Sequence, residues 1–148
     1  MSVAARLAAL GITLPTPSVP LQNYVPWVRT GSLVVVSGQI PLRDGVIAYT
    51  GPADDNAAAA ARLCTINVLA QLSAACDGDL ERVRQVVRLG GYFAAPPSYT
   101  QHAVAMNGAS DLVVAVFGDR GRHARSTIGV PSLPFDAMAE VDGWFEVA

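Results

Sequence analysis

Lysine is absent from this 148-residue chain; all ten basic residues are arginine. A lysine Schiff base, a lysine anchoring pyridoxal phosphate and the lysine of a P-loop are thereby excluded. Charge of either sign is scarce. Charged residues make up 15% of the chain, against about 25% in an ordinary soluble domain. Hydrophobic residues make up 51%, partly through alanine. A domain of this size has much surface and few charges to cover it, so apolar surface is expected to be buried against further copies of the chain. Cysteine is limited to Cys64 and Cys76; their spacing matches no metal or redox motif, and one pair makes no disulfide framework. The net charge of −2 and the lack of a basic stripe interleaved with aromatics argue against a nucleic-acid partner. No HExxH, Gly-x-Ser-x-Gly or glycine-rich phosphate loop is present, so neither metal nor cofactor is expected.

Residues 2–10 carry Arg6 in their middle and no long apolar centre, unlike a signal peptide. No apolar run approaches the ~20 residues of a membrane span. A cytoplasmic protein with no membrane partner is the expectation. One domain over residues 1–148 is expected, its first twenty residues forming a short helix and an extended, proline-rich lead-in (Pro15, Pro17, Pro20).

Beyond the lead-in, Leu33–Val36 reads as a buried strand. Arg43-Asp44-Gly45 reads as a hairpin turn, with the return strand over Val46–Tyr49. Asp54 and Asp55 are placed to open a helix running to about Ala75, where carboxylates suit the free N–H groups. Leu63, Ile66 and Ala70 share one of its faces; Val68 and Leu72 spill onto others, which predicts contacts on more than one side. Val83–Phe93 reads as a strand with Val87, Leu89, Gly91 and Phe93 on one face. Ser98 and Gln101 form a capping-box pattern for a second helix carrying Leu112, Val113, Val116 and Phe117 inward. Ser126–Val130 and Met138–Val147 read as the closing strands. In the last, Val141, Gly143, Phe145 and Val147 alternate with Glu140, Asp142, Trp144 and Glu146. This order predicts an α/β (α+β) fold: a mixed sheet with two helices on one face and the other face bare.

Chemistry concentrates at the two final strands. Arg125 precedes one of them with Thr127 two residues on, and Glu140 and Asp142 share a face of the next. A guanidinium fork matches a carboxylate bidentately, so Arg125 is a candidate anchor for a small acid; a structural Arg–Glu ion pair is the alternative. His102 reads as a surface residue of the second helix and His123 as a solvated loop residue.

At these residues the chain resembles the Rid family of reactive-intermediate imine deaminases, also called the YjgF family. The resemblance rests on Arg29-Thr-Gly-Ser-Leu-Val-Val-Val-Ser-Gly-Gln-Ile-Pro41, Ala61-Arg-Leu-Cys-Thr-Ile-Asn67, Ala124-Arg-Ser-Thr-Ile-Gly-Val130, Leu133-Pro134 and Glu140-Val-Asp142. It runs from about Tyr24 to the C-terminus. It implies a chorismate mutase-like homotrimer with a central β-barrel and ligand clefts between subunits. It implies hydrolysis of 2-imino or 2-enamino acids to 2-keto acids and ammonia. By the same resemblance Arg125 holds the substrate carboxylate with help from the Thr127 N–H, and Glu140 positions the attacking water. Tyr24, Gly31 and Asn107 line the cleft. The chain departs from the pattern in reading Gln22-Asn-Tyr-Val-Pro26 around the tyrosine and Asp142 where glutamate is common. A non-catalytic trimer that binds a small carboxylate metabolite is the competing reading, and Glu140 separates the two. Endoribonuclease activity, a label attached to parts of the family, is disfavoured by the acidic balance.

Overall fold

The computed structural model describes residues 1–148. Its elements are α1 (Val3–Ala9), β1 (Trp27–Thr30), β2 (Leu33–Gln39), β3 (Leu42–Arg43), β4 (Val46–Ile47), α2 (Ala57–Ala75), β5 (Val83–Ala94), α3 (His102–Phe117), β6 (Ala124–Val130) and β7 (Ala139–Val147). Five strands form one sheet in the order β1-β2-β7-β5-β6. Only β5 and β6 run parallel, joined through α3 as such a pair requires; every other neighbour is antiparallel. The sheet is therefore mixed, with β1 and β6 at its edges.

Three helices, not two, cover one face. α2 lies across β2 and β7, α3 across β5 and β6, and α1 packs beside α3. Val3 and Leu7 place α1 in the same buried cluster as Val34, Val36, Leu69, Leu72, Leu89, Phe93, Val141 and Phe145. The alternation expected for β7 is present: Val141, Gly143, Phe145 and Val147 are buried on the helix side, while Glu140, Asp142, Trp144 and Glu146 face away. On that outer face Val28, Ile128 and Trp144 are 52%, 52% and 44% exposed.

The β3–β4 turn has positive φ at both Asp44 and Gly45, the requirement of a two-residue hairpin of the tightest kind. The return strand stops at Ile47. α2 begins three residues after Asp54, because that carboxylate caps a preceding turn by accepting from the Asn56 N–H at 2.8 Å. The capping box at Ser98 and Gln101 does not form, and α3 starts at His102 without a side-chain cap. In β5 a register shift between Val86 and Arg88 turns Val87 outward and Val86 inward, an irregularity no alternation pattern encodes. α2 is buried nearly all round, as its spread of apolar positions implied. By length and composition it could cross a membrane, although Arg62, Asn67 and Gln71 interrupt it, but 67% of its most apolar stretch is buried inside the protein.

The α2–α3 contact is close because Gly108 has no side chain. A Cβ there would lie 2.0 Å from the main-chain oxygen of Ala58. Gly108→Ala gains about 1 kcal/mol of helix propensity. Backbone atoms of a packed helix cannot step aside, so overpacking of about 1–3 kcal/mol outweighs that gain. A lower urea midpoint at unchanged slope is the expected result.

Candidate active site

Two groups of polar side chains stand on opposite faces of the sheet. The first surrounds Arg125. In the β5–β6 register Arg125 pairs with the fully buried Leu89, so its side chain rises on the helix side. There Nη1 donates to Asn107 Oδ1 at 3.0 Å and to Ser110 Oγ at 3.1 Å, and Nη2 donates to the Ala103 carbonyl at 3.1 Å. All three acceptors belong to α3 and all are neutral. Three of the five guanidinium N–H groups are thereby used; Nε–H and one N–H of Nη2 remain. None of the chain's four ion pairs includes Arg125. The expected alternative, an Arg125–Glu140 ion pair, is not formed.

Thr127 follows on the same face, half-buried, with an Oγ1 that is enclosed and unpartnered. The Val130 carbonyl accepts from the Ala95 N–H at 2.9 Å, which turns Val130 toward the end of β5. Main-chain direction alternates along a strand. The N–H groups of Arg125, Thr127 and Gly129 therefore point to the open edge of the sheet.

The second group surrounds Glu140. In register it stands beside Tyr92, which in turn stands beside the exposed Ile128, so Glu140 points away from the helices. Tyr92 donates its hydroxyl to Asp142 Oδ2 at 2.9 Å, and Arg88 Nη1 lies 3.7 Å from Asp142 Oδ1. Asp142 Oδ1 is itself enclosed without a hydrogen bond. Burial, and secondarily the charge of Asp142, raises the Glu140 carboxyl above the ordinary carboxylate range. Burial likewise raises the Tyr92 phenol, with a smaller part from its bond to Asp142.

Space for Glu140 comes from a bulge in β2. Val36 pairs with Gly143 and Gln39 with Val141, so Ser37 and Gly38 together oppose Asp142. A Cβ on Gly38 would lie 2.4 Å from Glu140 Oε2. The Ser37 N–H and hydroxyl bond the carbonyls of Pro26 and Val25 at 2.9 and 2.8 Å, tying the segment that carries Tyr24 to the same bulge. Tyr24 itself is 54% exposed.

The structure thus brings Asn107 and Thr127 to Arg125, and the Tyr24 segment to the neighbourhood of Glu140. It does not bring Gly31 to either. Gly31 occupies the β1–β2 turn with a φ of +60° and open space around it, at the far end of β2 from the bulge. Gly38 is the glycine whose Cβ would meet Glu140; its place within Ser-Gly-Gln-Ile-Pro was the available signal. Neither histidine is a plain solvated residue. His102 presses on Gly129, whose Cβ would meet Nε2 at 2.7 Å, and stacks edge-on against Tyr99. His123 bonds Ser110. Because the obstruction at Gly38 is the tip of a flexible side chain, Gly38→Ala is expected to fold normally and to push Glu140 aside. The melting temperature should be unchanged.

A two-layer α+β protein with a mixed five-stranded sheet, bare on its outer face and bearing an acid-free arginine at its edge, is of the YjgF/chorismate mutase-like type. The family profile described as "YjgF/chorismate mutase-like, putative endoribonuclease" matches residues 4–147, and the chain belongs to that family. It is 44% identical to Protein TCP17 of Trypanosoma cruzi over 151 residues, covering 98% of this chain and 94% of that protein. Among solved structures, a protein of unknown function from Agrobacterium tumefaciens is 42% identical with a TM-score of 0.92, covering 99% of this chain and 92% of the other. One from Shewanella oneidensis, described as "a putative endoribonuclease", is 37% identical with a TM-score of 0.94, covering 99% and 100%. The Escherichia coli YjgF product shares the fold at a TM-score of 0.63 and 24% identity, covering 88% and 93%.

Proposed function

We propose that the chain hydrolyses 2-imino or 2-enamino acids to 2-keto acids and ammonia, in clefts shared between subunits of a homotrimer. The observation that carries this reading is Arg125: a cation held in place by three neutral acceptors, with Nε–H and an Nη2–H left over and no acid of its own. Those remaining donors suit a planar carboxylate. The edge-facing N–H of Thr127 adds a third contact. Asn107 acts from behind, as an anchor of the arginine.

Hydrolysis needs a water and a group to manage its proton. Glu140 supplies that group. It takes one water proton as the oxygen bonds to the carbon of the protonated imine and the C=N π pair moves to nitrogen, returns that proton to the nitrogen as the C–N bond breaks, and takes the remaining hydroxyl proton as the C=O bond forms. A carboxyl raised toward the working pH suits both roles. Arg125 and Glu140 of one chain lie on opposite faces of the sheet, so a complete cleft requires the edge of one copy to meet the outer face of the next. Tyr24, beside the Glu140 end of β2, would line it. The apolar outer face and low charge of the chain favour such packing. Serine bound to the related TdcF of Escherichia coli is a ligand of the same small carboxylate type.

The direct test is ammonia release from freshly generated 2-aminoacrylate by the wild-type protein and by Arg125→Ala. Equal release by the two would refute the assignment. Carboxylate binding without ammonia release would favour the metabolite-binding reading.

A further inference from the structure

The turn between α3 and β6 carries a feature that the carboxylate-binding reading does not itself require. Gly118 leaves α3 with a φ of +66°, and Gly121 sits so close to α3 that a Cβ would lie 2.3 Å from the Val113 carbonyl oxygen. Arg120 pins the turn by donating to the Val83 carbonyl at 2.7 Å. This places His123 against the helix. Its Nδ1 lies 2.6 Å from the Gly121 carbonyl and its Nε2 lies 2.8 Å from Ser110 Oγ. A carbonyl only accepts, so Nδ1 carries the proton and, in the neutral ring, Nε2 accepts. Ser110 must then direct its own proton at Nε2. Its oxygen lone pairs are left for the Arg125 Nη1–H at 3.1 Å. Each link in the series from Arg125 through Ser110 and His123 to Gly121 pairs one donor with one acceptor.

We infer that Ser110 and His123 are positioning residues for Arg125: His123 sets the direction of the Ser110 hydroxyl, which holds the guanidinium with its unused donors toward the sheet edge. Without the imidazole, Ser110 is free to rotate its proton toward Nη1, where two donors would face each other. The inference rests on the proposed carboxylate-binding role of Arg125, and its test separates the two.

Pyruvate binding by calorimetry and 2-aminoacrylate turnover are measured for Arg125→Ala, Ser110→Ala, His123→Asn, His123→Gln and the Ser110→Ala/His123→Asn double variant. Alanine is the best helix former, so Ser110→Ala leaves α3 intact. Ser110→Ala and His123→Asn should each weaken pyruvate binding and raise KM about 5- to 10-fold, less than a directly lost hydrogen bond to a charged group because the effect reaches the ligand only through the position of Arg125. Their kcat should stay within about twofold, because the carboxylate is held alike in ground and transition states. The double variant should be no worse than Ser110→Ala, since His123 acts through that hydroxyl. His123→Gln, which keeps an acceptor at the reach of Nε2, should recover most of the loss. Additive losses in the double variant, or a glutamine variant as poor as the asparagine one, overturn the relay. Unchanged binding in Ser110→Ala and His123→Asn does the same if Arg125→Ala still weakens binding. Unchanged binding in Arg125→Ala overturns the carboxylate reading instead.

Discussion

Arg125→Ala is expected to lose about 10- to 100-fold in affinity for a small 2-keto or 2-imino acid. The magnitude follows from the donors that the side chain leaves unused. A charge-assisted hydrogen bond contributes roughly 1.5–3 kcal/mol, and about 1.4 kcal/mol is a factor of ten. Arg125→Lys should recover little. An ammonium cannot reach Asn107, Ser110 and the Ala103 carbonyl while presenting a planar pair of donors, because its charge is a point and not a fork. Stability should change little. The acceptors freed on α3 lie in a part-exposed region, where water replaces the lost donors. Titration calorimetry with pyruvate reads the affinity, and thermal melts read the stability. A lysine variant with wild-type affinity would mean that a positive charge suffices and that the geometry described for Arg125 is irrelevant.

Glu140→Gln is expected to reduce kcat about 100- to 10,000-fold, the range for a positioned general acid–base, with pyruvate affinity kept within a few-fold. Protein stability gives an independent control. The folded-state pKa of Glu140 is raised by burial and by Asp142. The folded state therefore binds the proton more tightly than the unfolded chain. Stability from this group is full below the ordinary carboxylate pKa and declines as pH rises toward the raised value. Above that raised value the ionised side chain is a burden on the fold, and its neutral isostere should be at least as stable as wild type. Loss of turnover without loss of stability would identify a group kept for chemistry. Asp142→Asn should move the acidic limb of the rate profile to lower pH, because it removes the neighbouring charge that helps hold the Glu140 proton.

The same pair of variants tests whether the site is shared. If one chain supplies Arg125 and its neighbour Glu140, a mixture of the two impaired variants regains intact clefts. Random assembly of a cyclic trimer from equal amounts makes about a quarter of the clefts complete. With substrate well below the KM of Arg125→Ala, activity near that fraction on mixing, from parents that are each strongly impaired, is the expected result. No recovery after subunit exchange would place both residues in one chain's cleft, against the face assignment made here.

Much of the fold could be read along the chain because its signals are periodic or local. The alternation of β7 separates Val141, Phe145 and Val147 from Glu140 and Asp142 without reference to any other strand. Asp44-Gly45 announces its hairpin because few residues tolerate positive φ at both turn positions. The absence of lysine and the scarcity of charge limit the possible chemistry whatever the fold. Arg125 and Glu140 were recognisable as candidates for the same reason: their residue types carry the chemistry.

What the sequence could not decide was proximity. Gly31 and Gly38 stand near opposite ends of β2, and no property of β2 alone says which meets an acid. The bulge at Ser37–Gly38 decides it, and that bulge exists only in register with β7, about a hundred residues later. His123 and Ser110 became visible only when a turn pinned by Val83 laid one against the other. Residue types and periodicity determined which groups this protein has that are chemically able to bind a small acid and move a proton. Strand register and helix packing, which depend on contacts between distant segments, determined that those groups stand on opposite faces of the sheet.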